Sequence, residues 1–223
     1  MSQQARLWLQ TKKSDLFVSS DLQRRLRSAL ERPHRLGMLG GDLDEHVRHG
    51  LAFAQILDQL EITEGRGADL GTGGGVPGVI LAAVVPKVDW SLIEIRTSRA
   101  AEVERSILTL GANATVETRP AQELAHDDGF RGQYQVVVAR AFGPPSVAAE
   151  CGAGLLELGG VLVVSEPPDG DPERWPAKSM AKLGFGEITK MTGDGVGFAV
   201  ARTVASTNPD LPRLPPRHDR GWR

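Results

Sequence analysis

From Gly67 onward the apolar positions of this chain alternate between two rhythms. Short apolar runs at 67–70, 88–94, 113–118, 134–140 and 160–165 predict strands. Spacing near 3.6 residues at 77–85, 97–110, 120–125 and 146–157 predicts the helices between them. Such alternation makes a parallel sheet whose connections cross over as helices. The pattern changes after Glu166-Pro167-Pro168-Asp169-Gly170. A helix near 174–183 leads into two strands near 186–192 and 197–204, joined by Thr192-Gly193-Asp194-Gly195, a hairpin-type turn. The expected architecture is α/β: a seven-stranded, mostly parallel sheet with an antiparallel last strand.

Residues 1–62 read instead as a helical extension. Leu22, Leu26 and Leu30 fall four apart, with Arg24, Arg25 and Arg27 off that stripe. Ser20 or Asp21 is placed to cap this helix and Pro33 to close it. A loop with Gly37, Gly40 and Gly41 follows. Asp42, with Glu45 three residues later, then makes a capping-box-like start for Leu43, Val47, Leu51, Ala54, Leu57 and Leu60. The tail from Ser206 holds Pro209, Pro212, Pro215 and Pro216 and is expected to be extended and mobile. The chain divides into an extension (1–62), a core (63–205) and a basic, proline-rich tail (206–223), without an internal repeat.

The first strand runs into Asp69-Leu70-Gly71-Thr72-Gly73-Gly74-Gly75-Val76-Pro77-Gly78. A strand, a glycine-rich turn and a helix opening near Pro77 place free N–H groups at the edge where open α/β sheets bind nucleotides. Two registers fit. Gly73, Gly75 and Gly78 satisfy the dinucleotide pattern G-x-G-x-x-G. Gly71, Gly73 and Gly75, with Asp69 before them, satisfy acid-x-G-x-G-x-G, the form usual for S-adenosylmethionine (SAM). Asp69 decides between them: a carboxylate repels a pyrophosphate and attracts the ammonium and sulfonium of SAM. Glu94, at the end of the second strand, can accept both ribose hydroxyls. The closing antiparallel strands are likewise usual for SAM methyltransferases and unusual for dinucleotide folds. A glycine turn that binds nothing is the plainer alternative.

Composition narrows the class. The chain has 223 residues, 40% hydrophobic and 24% charged, enough for one well-buried α/β domain and an extension. The single cysteine, Cys151, excludes an internal disulfide and reads as a small packed residue in a reducing compartment. No apolar run suits a signal peptide or a membrane span, so a cytoplasmic protein without a membrane partner is expected. Net charge is −2, unevenly spread. Residues 1–35 hold eight basic residues against three acids, and residues 212–223 hold four against one. The middle carries 14 basic and 24 acidic residues. Basic ends on an acidic body suit arms that contact phosphates, or equally two solvated, charged segments. His46 and His49 lie one helical turn apart with no third ligand nearby, so ordinary polar contacts are expected and no metal.

These motifs resemble a known family, the bacterial 16S ribosomal RNA guanine-N7 methyltransferases once called glucose-inhibited division protein B. Asp69 to Gly78 is similar to its D-x-G-[ST]-G-x-G-x-P-G loop, Glu45-His46-Val47-Arg48-His49 to its His-containing helix, and Val138-Ala139-Arg140-Ala141-Phe142 to its A-R-A-[FV] motif. The resemblance implies a Rossmann-like class I SAM-dependent methyltransferase fold, SAM as cofactor, and 16S RNA or the small-subunit particle as partner. It places Ala121 and Gln122 beside the SAM adenine. Asp69, Gly71, Thr72, Gly73, Gly75, Val76, Pro77, Gly78, Glu94 and Arg140 complete the expected cofactor set. Arg140 is also the candidate catalytic residue, positioning the acceptor. Three departures stand out. Ser165-Glu166-Pro167-Pro168 occupies the place of a lysine–glycine turn, Arg35-Leu36-Gly37-Met38-Leu39 replaces an Asn-Leu-Thr segment, and a short tail (Pro212 to Arg223) replaces a long basic one.

The function expected is methylation of a guanine N7 in small-subunit RNA. A diverged methyltransferase with a non-ribosomal substrate is the alternative. Further off stand an NAD(P)-dependent oxidoreductase and a SAM- or RNA-binding protein without catalysis. No Tyr-x-x-x-Lys pair supports hydride chemistry, and Tyr134, the only tyrosine, lies inside a predicted strand.

Overall fold

The computed structural model describes residues 16–167, 172–213 and 222. Seven strands form one sheet: β1 (Gly65–Leu70), β2 (Val88–Ile93), β3 (Ala114–Glu117), β4 (Tyr134–Ala139), β5 (Leu156–Glu166), β6 (Thr189–Gly193) and β7 (Val196–Arg202). Their order is β3-β2-β1-β4-β5-β7-β6. The first five run parallel, and β7 lies antiparallel between β5 and β6. This is the seven-stranded, mostly parallel α/β sheet that the apolar rhythm predicts, in the Rossmann-like class I arrangement that the resemblance implies. Strand order reverses between β1 and β4, which opens a crevice at the carboxyl ends of those strands.

Helices cover both faces, as a parallel sheet requires. One face carries α1 (Ser20–Arg35), α2 (Leu43–Gln59), α3 (Gly78–Val84) and α4 (Thr97–Leu110) over Trp90, Leu92, Val136, Val138, Val161, Val163 and Phe198. The other carries α5 (Ala121–Leu124), α6 (Pro145–Leu155) and α7 (Ala177–Lys182) over Leu70, Ile93, Val137, Leu162 and Val164. The N-terminal helices thus share a core with the sheet. Phe53 of α2 meets Phe198 of β7 edge-on, their ring centres 4.7 Å apart, a geometry that adds about 0.5–1.5 kcal/mol beyond area burial. The β6–β7 turn has positive φ at Asp194 and Gly195, the two-residue hairpin geometry that suits the sheet's twist.

Several boundaries differ from the sequence reading. Ser19, not Ser20 or Asp21, caps α1, accepting from the Leu22 N–H at 3.2 Å. Pro33 does not close that helix, which runs on to Arg35. A proline has no N–H to give the carbonyl four residues back. Here the buried Ser106 hydroxyl of α4 donates to Ala29 O at 2.8 Å and takes over that role. The helix ends on Gly37 (φ +71), where Gly37 N donates to His34 O and Met38 N to Pro33 O, a Schellman ending. Strand β5 starts at Leu156 rather than 160, because Leu156 already pairs with Tyr134. Pro176 splits the helix expected at 174–183 into a 3-10 turn (Pro172–Arg174) and α7.

The tail is anchored where it is described. The Thr207 hydroxyl donates to Ala153 O, Arg131 donates to Asn208 O and Leu211 O, and Arg213 pairs with Glu150. The expectation of a mobile tail fails for residues 206–213, and Pro215 and Pro216 lie outside the described residues. Four arginines of the basic N-terminal segment have partners inside the protein. Arg24 pairs with Asp21, Arg27 with Asp44 and Arg32 with Glu102, and Arg25 donates to Leu110 O. Arg6, Lys12 and Lys13 lie outside the described residues. Among the described residues no helix is long and apolar enough to cross a membrane, and no group of three or more metal-ligating side chains comes together. Cys151 is fully buried in α6, and burial pushes its thiol pKa up.

Candidate functional site

The loops after β1, β2, β3 and β4 meet at the crevice. Thr72 N donates to Ile93 O at 2.9 Å, which ties the glycine loop to the end of β2, and Gly75 N and Val76 N fold back onto Thr72 O. Gly73 has φ +60, and a Cβ there would meet only Gly71 O, 3.8 Å away. Its open side leaves room above the loop. Gly78 is the opposite case. A Cβ there would stand 2.5 Å from Leu92 and 2.6 Å from Asp69 Oδ2, so only glycine lets its N–H donate to that oxygen at 2.9 Å. Val76 is buried, and Pro77 precedes the first residue of α3.

Asp69 is fully buried, beneath the loop rather than on its surface. Burial drives its pKa up from 3.8 to about 6. The Thr72 hydroxyl, the Gly78 N–H and the Arg140 charge pull it back down, and Glu94 adds a push upward. Its Oδ1 has no hydrogen-bond partner among the described residues. Asp69 therefore braces the loop and puts negative charge under it. Glu94 follows β2, its N–H bonded to Glu117 O at 2.9 Å. Its Oε1 accepts from Arg96 N at 2.8 Å, and Oε2 has no partner among the described residues. Ala121 and Gln122 open α5 just past β3 and are both buried.

Arg140 follows β4 and is half-buried. Its Nη2 donates to Nδ1 of His46 at 2.8 Å, and His46 Nε2 reaches Gly40 O in the loop between α1 and α2. An acceptor at Nδ1 and a donor at Nε2 define a neutral imidazole, and burial lowers the His46 pKa accordingly. His46 is thus a strut that holds Arg140 in place. Burial and the nearby charge of Arg140 bring His49, stacked 5.8 Å from Phe53, down to about 4. Neither histidine meets a metal ligand set among the described residues.

Beyond Arg140 lies a cavity of about 330 Å³ at the ends of β4 and β5, lined in part by His49, Phe142, Ser165 and Glu166. Ala141, at its edge, has φ +52, a backbone state that L residues other than Asn and Asp seldom adopt. The Phe142 ring joins the two halves of the site: it lines the cavity and packs against Gly71, whose Cβ would fall 2.7 Å from it. Glu166 carries an ion pair with Arg174 (3.0 Å) and accepts from the Trp175 indole (3.1 Å). The structure brings the residues of the glycine loop, Glu94, Ala121, Gln122 and Arg140 to one edge of the sheet. Sequence reasoning missed the His46 strut, the Phe142 wall and the partners of Glu166. The first two join positions tens of residues apart, and the partners of Glu166 lie eight and nine residues past it, with no shared periodicity to mark them.

Comparison with known proteins identifies the family. The GidB model, described as rRNA small subunit methyltransferase G, matches residues 43–166, from the start of α2 to the end of β5. The chain belongs to this family. Among its relatives, the ribosomal RNA small subunit methyltransferase G of Carboxydothermus hydrogenoformans is 31% identical over 150 residues, taking in 67% of this chain and 64% of the relative. The chain thus spans just under two thirds of that relative. The protein of the same name from Pelotomaculum thermopropionicum is 28% identical over 81% of this chain and 79% of its own length. Solved structures confirm the fold. A putative O-methyltransferase from Klebsiella pneumoniae superposes with a TM-score of 0.61 at 16% identity, over 81% of this chain and 90% of that one. A putative SAM-dependent methyltransferase from Methanococcus maripaludis gives 0.53 at 13% identity, over 83% and 94%.

Proposed function

We propose that this chain is a SAM-dependent methyltransferase that acts on N7 of a guanine in small-subunit (16S) ribosomal RNA. The observation that carries the reading is the extent of the family match. Residues 43–166 include the His46 strut, the glycine loop, Glu94, α5, Arg140 and Glu166, the whole edge described above. The residues fit the cofactor: open space over Gly73, a buried negative charge at Asp69, and a spare Glu94 oxygen where a ribose diol needs an acceptor. Gly71–Gly78 and Asp69 would hold its amino-acid part, Glu94 its ribose, and Ala121 with Gln122 its adenine.

When bound, SAM supplies a methyl group on a positively charged sulfur, which a lone pair can displace in line. Guanine N7 keeps a lone pair in the neutral base, so no residue has to remove a proton. The work left to the protein is alignment and exclusion of water. Arg140, fixed by His46, positions the acceptor through its guanidinium, which suits a phosphate or a base edge. A ribosomal substrate supports the reading of a cytoplasmic protein. The test is transfer of label from SAM to deproteinised 16S RNA and to intact small subunits, with mass mapping of nucleosides from cells with and without the gene. The expected product is one 7-methylguanosine. Label entering a protein or small molecule and neither RNA substrate would overturn the ribosomal reading.

A further inference from the structure

We propose that the cavity at the ends of β4 and β5 is a guanine pocket in which Glu166 reads the Watson–Crick edge of the target base. This deepens the methyltransferase reading and rests on it. The cavity, about 330 Å³, is of the size that takes one small planar ligand, and Phe142 and Trp175 give it aromatic walls. An unstacked base is commonly held between such faces and read on its polar edge.

Beside Arg140, His49, Ser165 and Arg174, the lining holds one fixed carboxylate. Glu166 is the last residue of β5 and sits opposite Gly197 of β7. Its side chain is 13% exposed and is held by an ion pair with Arg174 on Oε2 and by the Trp175 indole on Oε1, both residues lining the same cavity. Trp222 backs that arrangement, donating to Arg174 O at 2.8 Å and meeting Trp175 edge-on at 6.0 Å. With each oxygen held by one partner, each still has acceptor capacity, since a carboxylate offers about four lone-pair sites.

A carboxylate can only accept, and this selects the base. Guanine alone presents two adjacent donors, N1–H and the N2 amine, in the spacing that two carboxylate oxygens match. Adenine and cytosine set a lone pair beside their amine, and uracil has one donor between two carbonyls. Orientation agrees with the chemistry. Strand β5 lies one strand spacing, about 4.8 Å, farther from the glycine loop than β4. A guanine with its N1–N2 edge on Glu166 therefore turns N7, on the far side of the ring, toward Phe142 and Gly71.

The experiment measures binding of guanosine, inosine and adenosine to the whole protein by saturation-transfer NMR, with S-adenosylhomocysteine present. Inosine keeps N1–H and lacks only the N2 amine. Guanosine is expected to bind roughly ten times more tightly than inosine, and adenosine more weakly than both, as the loss of one partner of a bidentate pair implies. Glu166→Gln should erase the guanosine preference and leave affinity for S-adenosylhomocysteine unchanged. Equal binding of guanosine and inosine by the wild type overturns the proposal, as does a preference that survives in Glu166→Gln. The wild-type ratio decides alone if the variant fails to fold. A guanosine preference without methyl transfer to RNA leaves the pocket standing and refutes the ribosomal reading instead.

Discussion

Replacing Asp69 with Asn tests the electrostatics of the cofactor loop. Asn keeps an oxygen for the Gly78 N–H, so the loop's hydrogen bond survives and the charge does not. The folded pKa of Asp69 is raised from 3.8 to about 6 by burial. The native state therefore binds this proton more tightly than the unfolded chain, and stability falls as pH rises between those two values. A shift of about two units, at 1.36 kcal/mol each, makes the ionised carboxylate cost about 3 kcal/mol at neutral pH. Asn removes that cost. The stability advantage of Asp69→Asn over wild type should thus grow by about 2–3 kcal/mol between pH 4 and pH 7.5. His49 acts in the opposite sense: held near 4, it contributes stability above its ordinary 6.5 that is lost on acidification. It does so in both proteins and cancels in the difference. Urea unfolding followed by tryptophan fluorescence at several pH values measures the difference directly. A flat difference would mean that Asp69 titrates as it does in the unfolded chain, and the argument would be refuted. SAM affinity should move the other way, weaker in the variant, because the charge that burdens the fold faces a cationic ligand.

Three further predictions concern single contacts. Gly73→Val should abolish SAM binding in calorimetry, since φ +60 disfavours a branched residue and its side chain would fill the open side that the ligand needs; unchanged affinity would move the site elsewhere. Glu94→Ala should weaken SAM about tenfold or more and Glu94→Asp less, as expected for charge-assisted bonds worth roughly 1.5–3 kcal/mol; equal affinities would assign the ribose to another residue. Ser106→Ala should cost about 1–3 kcal/mol of stability by stranding the buried Ala29 carbonyl. In a Pro33→Ala background the helix regains its own N–H donor and the cost should shrink, so an equal cost in both backgrounds would sink that account.

The sheet and its helices were legible because burial on two faces leaves a mark that any window of the sequence shows. Val136 to Ala139 are all buried, and the chain reads there as a plain apolar run. The geometry of the glycine loop was legible for a related reason: Asp69 and Gly78 meet across only nine positions. The acceptor half was not. His46 finds Arg140 across 94 positions, and Glu166 gains Trp222 as a backing wall through Trp175. Pro33 misled for the same reason, its missing donor being replaced from Ser106 of another helix. Local chemistry proposes an ending, and a distant partner can cancel it.

The position of β7 has a consequence for the nascent chain. Strands β1 to β5 are synthesised first, yet the outer edge of β5, from Val161 to Glu166, is paired only when Val196–Arg202 arrives. Until then that edge and the Phe53 side of α2 stay uncovered, a stretch of open backbone of the kind that recruits other chains. At synthesis rates of about 5–20 residues per second the exposure lasts seconds. The glycine loop is complete early, and the pairing of Glu166 waits for Gly197 of the final hairpin. Half-made copies on crowded ribosomes are thus the ones at risk of aggregation, and ribosome-bound chaperones have their window before residue 202 emerges.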